Sequence, residues 1–103
     1  MLTVVEAPEF LAWYPHVWSD DERDAFVDWI SQHPDAGDVI AHAGGLRKVR
    51  FSRQGMGKRG GARVIYYLRD KEGLVVLLLV YAKAKFDNLR PEFLRHLKER
   101  YDV

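Results

Sequence analysis

The spacing of apolar positions switches along the chain from strand-like to helical and back, and the switches mark out the elements. Thr3–Glu6 is β-branched and weakly alternating, which predicts a short first strand. Pro8 suits the first turn of a helix, where its missing N–H is not needed. Phe10, Leu11 and Tyr14 follow at helical spacing, and Pro15 ends that helix. Ser19-Asp20-Asp21-Glu22 has a capping-box pattern, in which serine and glutamate satisfy each other's backbone donors. Phe26, Val27 and Ile30 give the second helix its apolar stripe, and His33-Pro34 stops it. The two helices are expected to form a hairpin lying on one face of a sheet.

From Pro34 to Gly45 the pattern predicts a loop, with Val39-Ile40 plugging it onto the core. Leu46–Phe51 then alternates: Val49 and Phe51 share a face with Arg47, while Lys48 and Arg50 point to the other. The Gly- and Arg-rich stretch Ser52–Gly61 reads as a flexible connection to a second strand, Ala62–Leu68. In that strand Val64, Tyr66 and Leu68 oppose Arg63, Ile65 and Tyr67. Asp70-Lys71-Glu72-Gly73 predicts a hairpin turn. Leu74–Ala82 is apolar on both faces, as in a central buried strand, and Tyr81 and Lys83 are expected to emerge together at its end. A last helix starting near Asn88–Pro91 is expected to bury Phe93, Leu94, Leu97 and Tyr101. The order βααβββα predicts one α+β domain over residues 1–103: a small, mostly antiparallel sheet with an N-terminal helical hairpin and a C-terminal helix.

Charge changes the picture more than composition does. The chain has 103 residues, a formal net charge of +1 and no cysteine, so disulfides and thiolate metal sites are excluded. The start, MLTVVEAPEF, lacks the basic and apolar regions of a signal peptide, and the nine apolar residues of Leu74–Ala82 are too few to span a bilayer as a helix. A cytoplasmic protein with no membrane contact is the expectation. The near-zero net charge conceals a division. Residues 1–40 carry nine acids against one base, Arg23, whereas Ala41 to Leu68 holds seven Lys or Arg and no acid. An acid-free block of cations fixed on strands suits a polyanion.

Other chemistries find little support. His16, His33, His42 and His96 lie scattered, without metal-ligand spacing; Ser19 reads as a helix cap and Ser31 as helix surface. Gly55, Gly57, Gly60 and Gly61 have no helix opening behind them, so they make no phosphate-cradling fingerprint. The basic constellation remains: Lys48, Arg50, Lys58, Arg59, Arg63 and Lys83, joined by Tyr81, would meet in one cleft if their strands are neighbours. Such a site binds phosphates through charge-assisted hydrogen bonds. It also suits RNA cleavage, where the 2′-hydroxyl is a built-in nucleophile and the protein orients it, moves protons and neutralises charge on phosphorus. Arginine, a fixed cation, fits the last task; a lysine serves as base only where crowding by like charge lowers its pKa. On the residues alone, polyanion binding is favoured over catalysis.

GDVI-x₃-GGLRKVRF, then GKRGGARVIYY, then Y-A-K after an apolar strand resembles the RelE/HigB-like toxins of type II toxin–antitoxin modules, and within them the HigB-type branch with GGLRK and GKRGG. The similarity spans roughly residues 34–94, with three blocks in order. It implies a small ribonuclease that enters the ribosomal A site and cuts mRNA through the 2′-hydroxyl, with no metal and no cofactor. Carried over, Lys48 and Arg50 match basic strand residues of the RNA cleft, and Lys58, Arg59 and Arg63 match GKRGG-x-R, with Arg63 stabilising the phosphorane. Tyr81 and Lys83 match the Y-x-K pair, for base stacking and proton transfer. The catalytic set implied is Lys58, Arg63, Tyr81 and Lys83; Lys48, Arg50, Arg59 and Lys85 would bind RNA. The chain departs from the family where an acid usually follows that lysine and an Asp-Leu pair precedes the last helix; here stand Lys85 and Asn88-Leu89.

The resemblance implies three partners: a cognate helix-turn-helix antitoxin, the ribosome and mRNA. Two further readings stay open, a non-catalytic ParE-like gyrase inhibitor and a degenerate nucleic-acid-binding module. The acidic first forty residues make a poor RNA surface, which leaves them available for the antitoxin.

Overall fold

The computed structural model describes residues 2–51, 61–82 and 88–101. A five-stranded sheet forms its middle layer, with strands β1 (Thr3–Glu6), β2 (Asp38–Val39), β3 (Arg47–Phe51), β4 (Ala62–Arg69) and β5 (Leu74–Tyr81) in the spatial order β1-β5-β4-β3-β2. The β1–β5 pair is parallel and every other pair antiparallel. Helices α1 (Pro8–Trp13) and α2 (Asp20–Gln32) lie between β1 and β2 in sequence, and α3 (Pro91–Glu99) follows the sheet. This is the α+β architecture expected from the periodicity.

Two apolar layers hold the sheet, one on each face. On the first, Phe10 of α1, Trp18, and Phe26 and Ile30 of α2 pack against Val49, Val64, Tyr66, Leu77 and Val80. Aromatic rings dominate there: Phe26 lies 5.1 Å from Phe51 and 5.2 Å from Trp18, and Trp29 lies 5.2 Å from Phe51. On the second face, Leu94 and Leu97 of α3 pack against Leu46, Ile65, Tyr67, Leu78 and Tyr81. Strand β5 therefore feeds both layers, which is why it reads as unbroken apolar sequence. An irregularity in its pairing adds to this. Ile65 is opposite Leu79 but Tyr66 is opposite Leu77, so Leu78 is an extra residue, and Leu78 and Leu79 both join the α3 layer.

The local signals at element ends act as expected. Ser19 Oγ accepts from the Glu22 N–H at 3.2 Å, and Glu22 Oε1 accepts from the Ser19 N–H at 2.9 Å, closing the capping box. Gly73 turns the β4–β5 connection at φ 67°, where a side chain would be strained.

Three expectations need correction. The Pro34–Gly45 loop contains a strand, β2, and Val39 does not plug the core: it is 62% exposed at the sheet edge, while Ile40 packs inward. Pairing of β2 with β3 sets the direction of each side chain there, and that pairing overrides apolarity. Phe93 is 51% exposed, because the buried stripe of α3 runs through Leu94 and Leu97, and Phe93 is turned about 100° from Leu94. Pro15 does not end the first helical region outright; a 3₁₀ turn, Tyr14–His16, continues it. The connection Ser52–Gly60 lies outside the described residues.

Candidate nucleic-acid interface

The basic strands do pair as neighbours, and their register decides what meets what. Arg50 of β3 stands opposite Arg63 of β4, and Arg63 stands opposite Tyr81 of β5. Directly opposed residues of an antiparallel ladder project to the same face, so Arg50, Arg63 and Tyr81 form one row on the α3 side of the sheet. One row inward, Lys48 stands opposite Ile65, which stands opposite Leu79. Two residues of strand separate the rows, about 7 Å. The cations thus occupy the end of the sheet face, and the apolar layer under α3 begins beside them.

Two arginines facing each other across a ladder cost stability unless something negative settles over them. Arg63 meets part of that requirement within the chain: its Nη1 donates to the Ala82 carbonyl oxygen at 3.0 Å, just past the end of β5. That bond fixes the guanidinium at the rim. Arg63 is half-buried, Lys48 is half-buried and Arg50 is exposed. The arrangement can hold a phosphate group from more than one side, using arginine's fixed fork.

The fold also brings an acid to the block that the sequence leaves without one. Asp38 of β2 stands opposite Lys48 across the β2–β3 ladder, an opposite-charge pair. Arg47 projects to the other face, where its Nη1 donates to the Gly37 carbonyl oxygen at 2.8 Å; its role is structural. Sequence reasoning gave no hint of two further cations on the α3 side. Arg95 donates to the His42 carbonyl oxygen at 3.0 Å and Lys98 to that of Gly44 at 2.9 Å, and Lys98 Nζ lies 5.1 Å from the centre of the Tyr67 ring. They tie α3 to the loop before β3, where His42, Gly44 and Gly45 all have positive φ. The Gly44-Gly45 pair of the GGLRK stretch is thereby explained by backbone geometry.

Tyr81 does not emerge from the sheet. It is 3% exposed, packed into the α3 layer with Leu79 and Ile65, because the last rung of the β4–β5 ladder holds it in register. Its ring is covered in this structure, whereas the stacking role expected of it needs an exposed face. Lys58, Arg59, Lys83 and Lys85 lie outside the described residues.

The histidines are dispersed. His33 stacks on Trp29 with ring centres 5.1 Å apart and ends α2, while His96 is on the exposed side of α3. Among the described residues no three His, Asp or Glu side chains converge in a way that could hold a metal ion. No helix among them is long and apolar enough to cross a membrane.

No protein-family model matches the chain. Among solved structures it is similar to the Escherichia coli RelE toxin. A double arginine-to-alanine mutant of that toxin in the free state superposes with a TM-score of 0.60 at 12% identity, covering 84% of this chain and 87% of that one. The isolated toxin superposes with a TM-score of 0.58 at 13% identity, covering 97% and 98%. The fold of this chain is RelE-like, a mixed α+β sheet flanked by three helices.

Proposed function

We propose that this chain is the toxin of a type II toxin–antitoxin module, of the HigB-like branch, and acts as a ribosome-dependent mRNA endonuclease within a single domain. The observation that carries the reading is the row in which Arg50 and Arg63 face each other at the end of a RelE-like sheet, with Lys48 one row inward. Two guanidinium groups set side by side on one rung can offer a phosphate donors from two directions. RNA supplies both the anion and the nucleophile. Its 2′-oxygen attacks the adjacent phosphorus and the bond to the 5′-oxygen breaks, leaving a 2′,3′-cyclic phosphate and a 5′-hydroxyl. The 2′-hydroxyl proton leaves as the attack proceeds, and the 5′-oxygen gains one.

Arg63, anchored through Ala82, neutralises the charge that grows on the phosphorane oxygens. Arg50 and Lys48 hold flanking phosphates and fix the strand. Proton transfer is assigned to Lys58 and Lys83, and further RNA contacts to Arg59 and Lys85, on the strength of the sequence resemblance. A helix-turn-helix antitoxin would be the inhibitor. Its docking side is the acidic α1–α2 face, where Asp21 and Asp24 are exposed.

Inducing the gene in bacteria and mapping mRNA 5′ ends tests the reading. Growth arrest with new 5′ ends within translated codons is expected, relieved by co-expressing an adjacent helix-turn-helix gene. Arg63→Ala should fold as the wild type does, yet cut at least about a hundredfold more slowly; Arg63→Lys should not restore the rate, because lysine lacks the fork. Arrest with intact mRNA would point instead to gyrase poisoning.

A further inference from the structure

Asp38 is an acid that the fold brings beside the cationic row, and it is exposed there. We infer that its carboxylate reads a base next to the phosphate held by Arg50, favours guanine, and so contributes to the choice of cleavage position. This inference rests on the proposed function and adds base selection to it, which cations aimed at phosphates do not supply.

Position is the first observation. Asp38 stands opposite Lys48, and Lys48 stands opposite Ile65, which packs in the layer under α3. Opposed residues share a face, so the carboxylate and the cationic row lie on the same side of the sheet. Arg50 is two residues along β3 from Lys48 and one strand over from Asp38. Strand spacing and rise put the Cα atoms of Asp38 and Arg50 about 8 Å apart. A nucleotide spans that distance from its phosphate to the edge of its base. Rigidity is the second observation. Gly37, the residue before Asp38, is held at both backbone groups. Its N–H donates to the Tyr66 hydroxyl at 2.9 Å, and its carbonyl oxygen accepts from Arg47 Nη1 at 2.8 Å. A side chain that discriminates between bases needs such a fixed starting point.

Chemistry is the third. Ionised aspartate accepts at two oxygens and donates nothing, and RNA phosphates repel it, so only donor groups gain from meeting it. Guanine presents two adjacent donors on its Watson–Crick edge, N1–H and the N2 amino group, which match the two oxygens. Cytosine and adenine present one amino donor beside an acceptor. Uracil presents one N–H between two carbonyl oxygens, which face a carboxylate unfavourably. The ranking is therefore guanine first and uracil last. An aspartate that only answered the charge of Lys48 would weigh on every base alike.

Fluorescence anisotropy tests the inference, on short 5′-labelled all-uracil strands with 2′-O-methyl sugars to prevent cleavage. One position is then replaced by guanine, by inosine (guanine's base without its amino group), by adenine or by cytosine. The wild type should bind the guanine strand about tenfold more tightly than the all-uracil and inosine strands, as loss of a two-point contact predicts. Asp38 is exposed, so Asp38→Asn should melt with the wild type. It should abolish the guanine preference yet bind the all-uracil strand at least as tightly. Asp38→Glu, which keeps the carboxylate, should keep part of the preference, and Arg50→Ala should weaken all strands alike. A folded Asp38→Asn protein that still prefers guanine overturns the inference, as does a wild type that binds every strand equally; the nuclease reading stands in both cases. Where the wild type binds no free strand, mapped mRNA 5′ ends decide. Guanine enriched at one position beside the cut by the wild type, but not by Asp38→Asn, is expected; cuts without enrichment overturn the inference alone. Arrest with intact mRNA overturns both.

Discussion

Tyr66 shows how one residue can hold the platform under the basic row. It is fully buried in β4, yet its hydroxyl donates to the Pro34 carbonyl oxygen at 2.7 Å and accepts from the Gly37 N–H at 2.9 Å. The loop after α2 is thus pinned to the middle strand, and with it β2 and Asp38. The fit is close: a Cβ on Gly37 would stand 2.8 Å from the Tyr66 ring and hydroxyl, so glycine is required there by space. Tyr66→Phe should cost about 1–3 kcal/mol, since it leaves the Gly37 N–H without its partner. Burial, the largest cause, pushes the Tyr66 phenol above its usual pKa. A raised folded-state pKa means that stability is complete below the unfolded value near 10 and is lost as pH rises through the folded value. The gap in melting temperature between wild type and Tyr66→Phe should therefore narrow above pH 10. A gap unchanged from pH 8 to 11 would refute this account.

At the scale of elements, α2 is fixed at its start by two independent devices. The capping box satisfies two backbone donors of the first turn. Arg23 then spans from α2 to β1, its Nε donating to Glu6 Oε2 at 2.7 Å and its Nη2 to Glu6 Oε1, while its guanidinium lies 5.4 Å from the Tyr14 ring centre. The sole base among the first forty residues is thus spent on joining helix to strand. Ser19→Ala should cost about 1 kcal/mol, lowering the melting temperature by roughly 4–8 °C. RNA binding should be unaffected, since no part of the basic row lies on α2. Thermal melts and anisotropy on the same sample check both halves.

Over the whole molecule, opposite charges are sorted to different places, and the sorting should appear in salt dependence. Each cation that neutralises a phosphate of single-stranded RNA contributes about 0.7 to the slope of log K against log salt. Arg50→Ala should therefore reduce the slope by about 0.7. Lys48→Ala should reduce it less, because Asp38 opposes Lys48 across the ladder and answers part of its charge. Equal losses for the two variants would mean that Asp38 turns away from Lys48 in solution. The acids of the first forty residues are in part accounted for internally: Glu6 and Asp24 hold Arg23, Asp20 accepts from the Tyr14 hydroxyl, and Glu9 accepts from that of Tyr101. The α1–α2 side is less negative than its composition suggests.

Sequence by itself determined what depends on neighbours along the chain. The capping box at Ser19, the turn at Gly73 and the alternation that puts Val64 and Tyr66 opposite Ile65 and Tyr67 are local rules of backbone geometry, and they are legible as written. So is β5, because only a strand covered on both sides can be apolar throughout. Tertiary structure alone decided what depends on pairing. Nothing local says that Arg50 meets Arg63, that Asp38 meets Lys48, or that Leu78 is the extra residue in β5; hydrogen-bond register sets all three. Burial of Tyr81 and exposure of Phe93 and Val39 belong to the same class, since a side chain's apolarity does not say which face its element will cover. A hollow at the end of β5 is the extreme case. Its walls come from Trp13 and Val80, far apart in sequence and joined only when α1 packs along the end of β5.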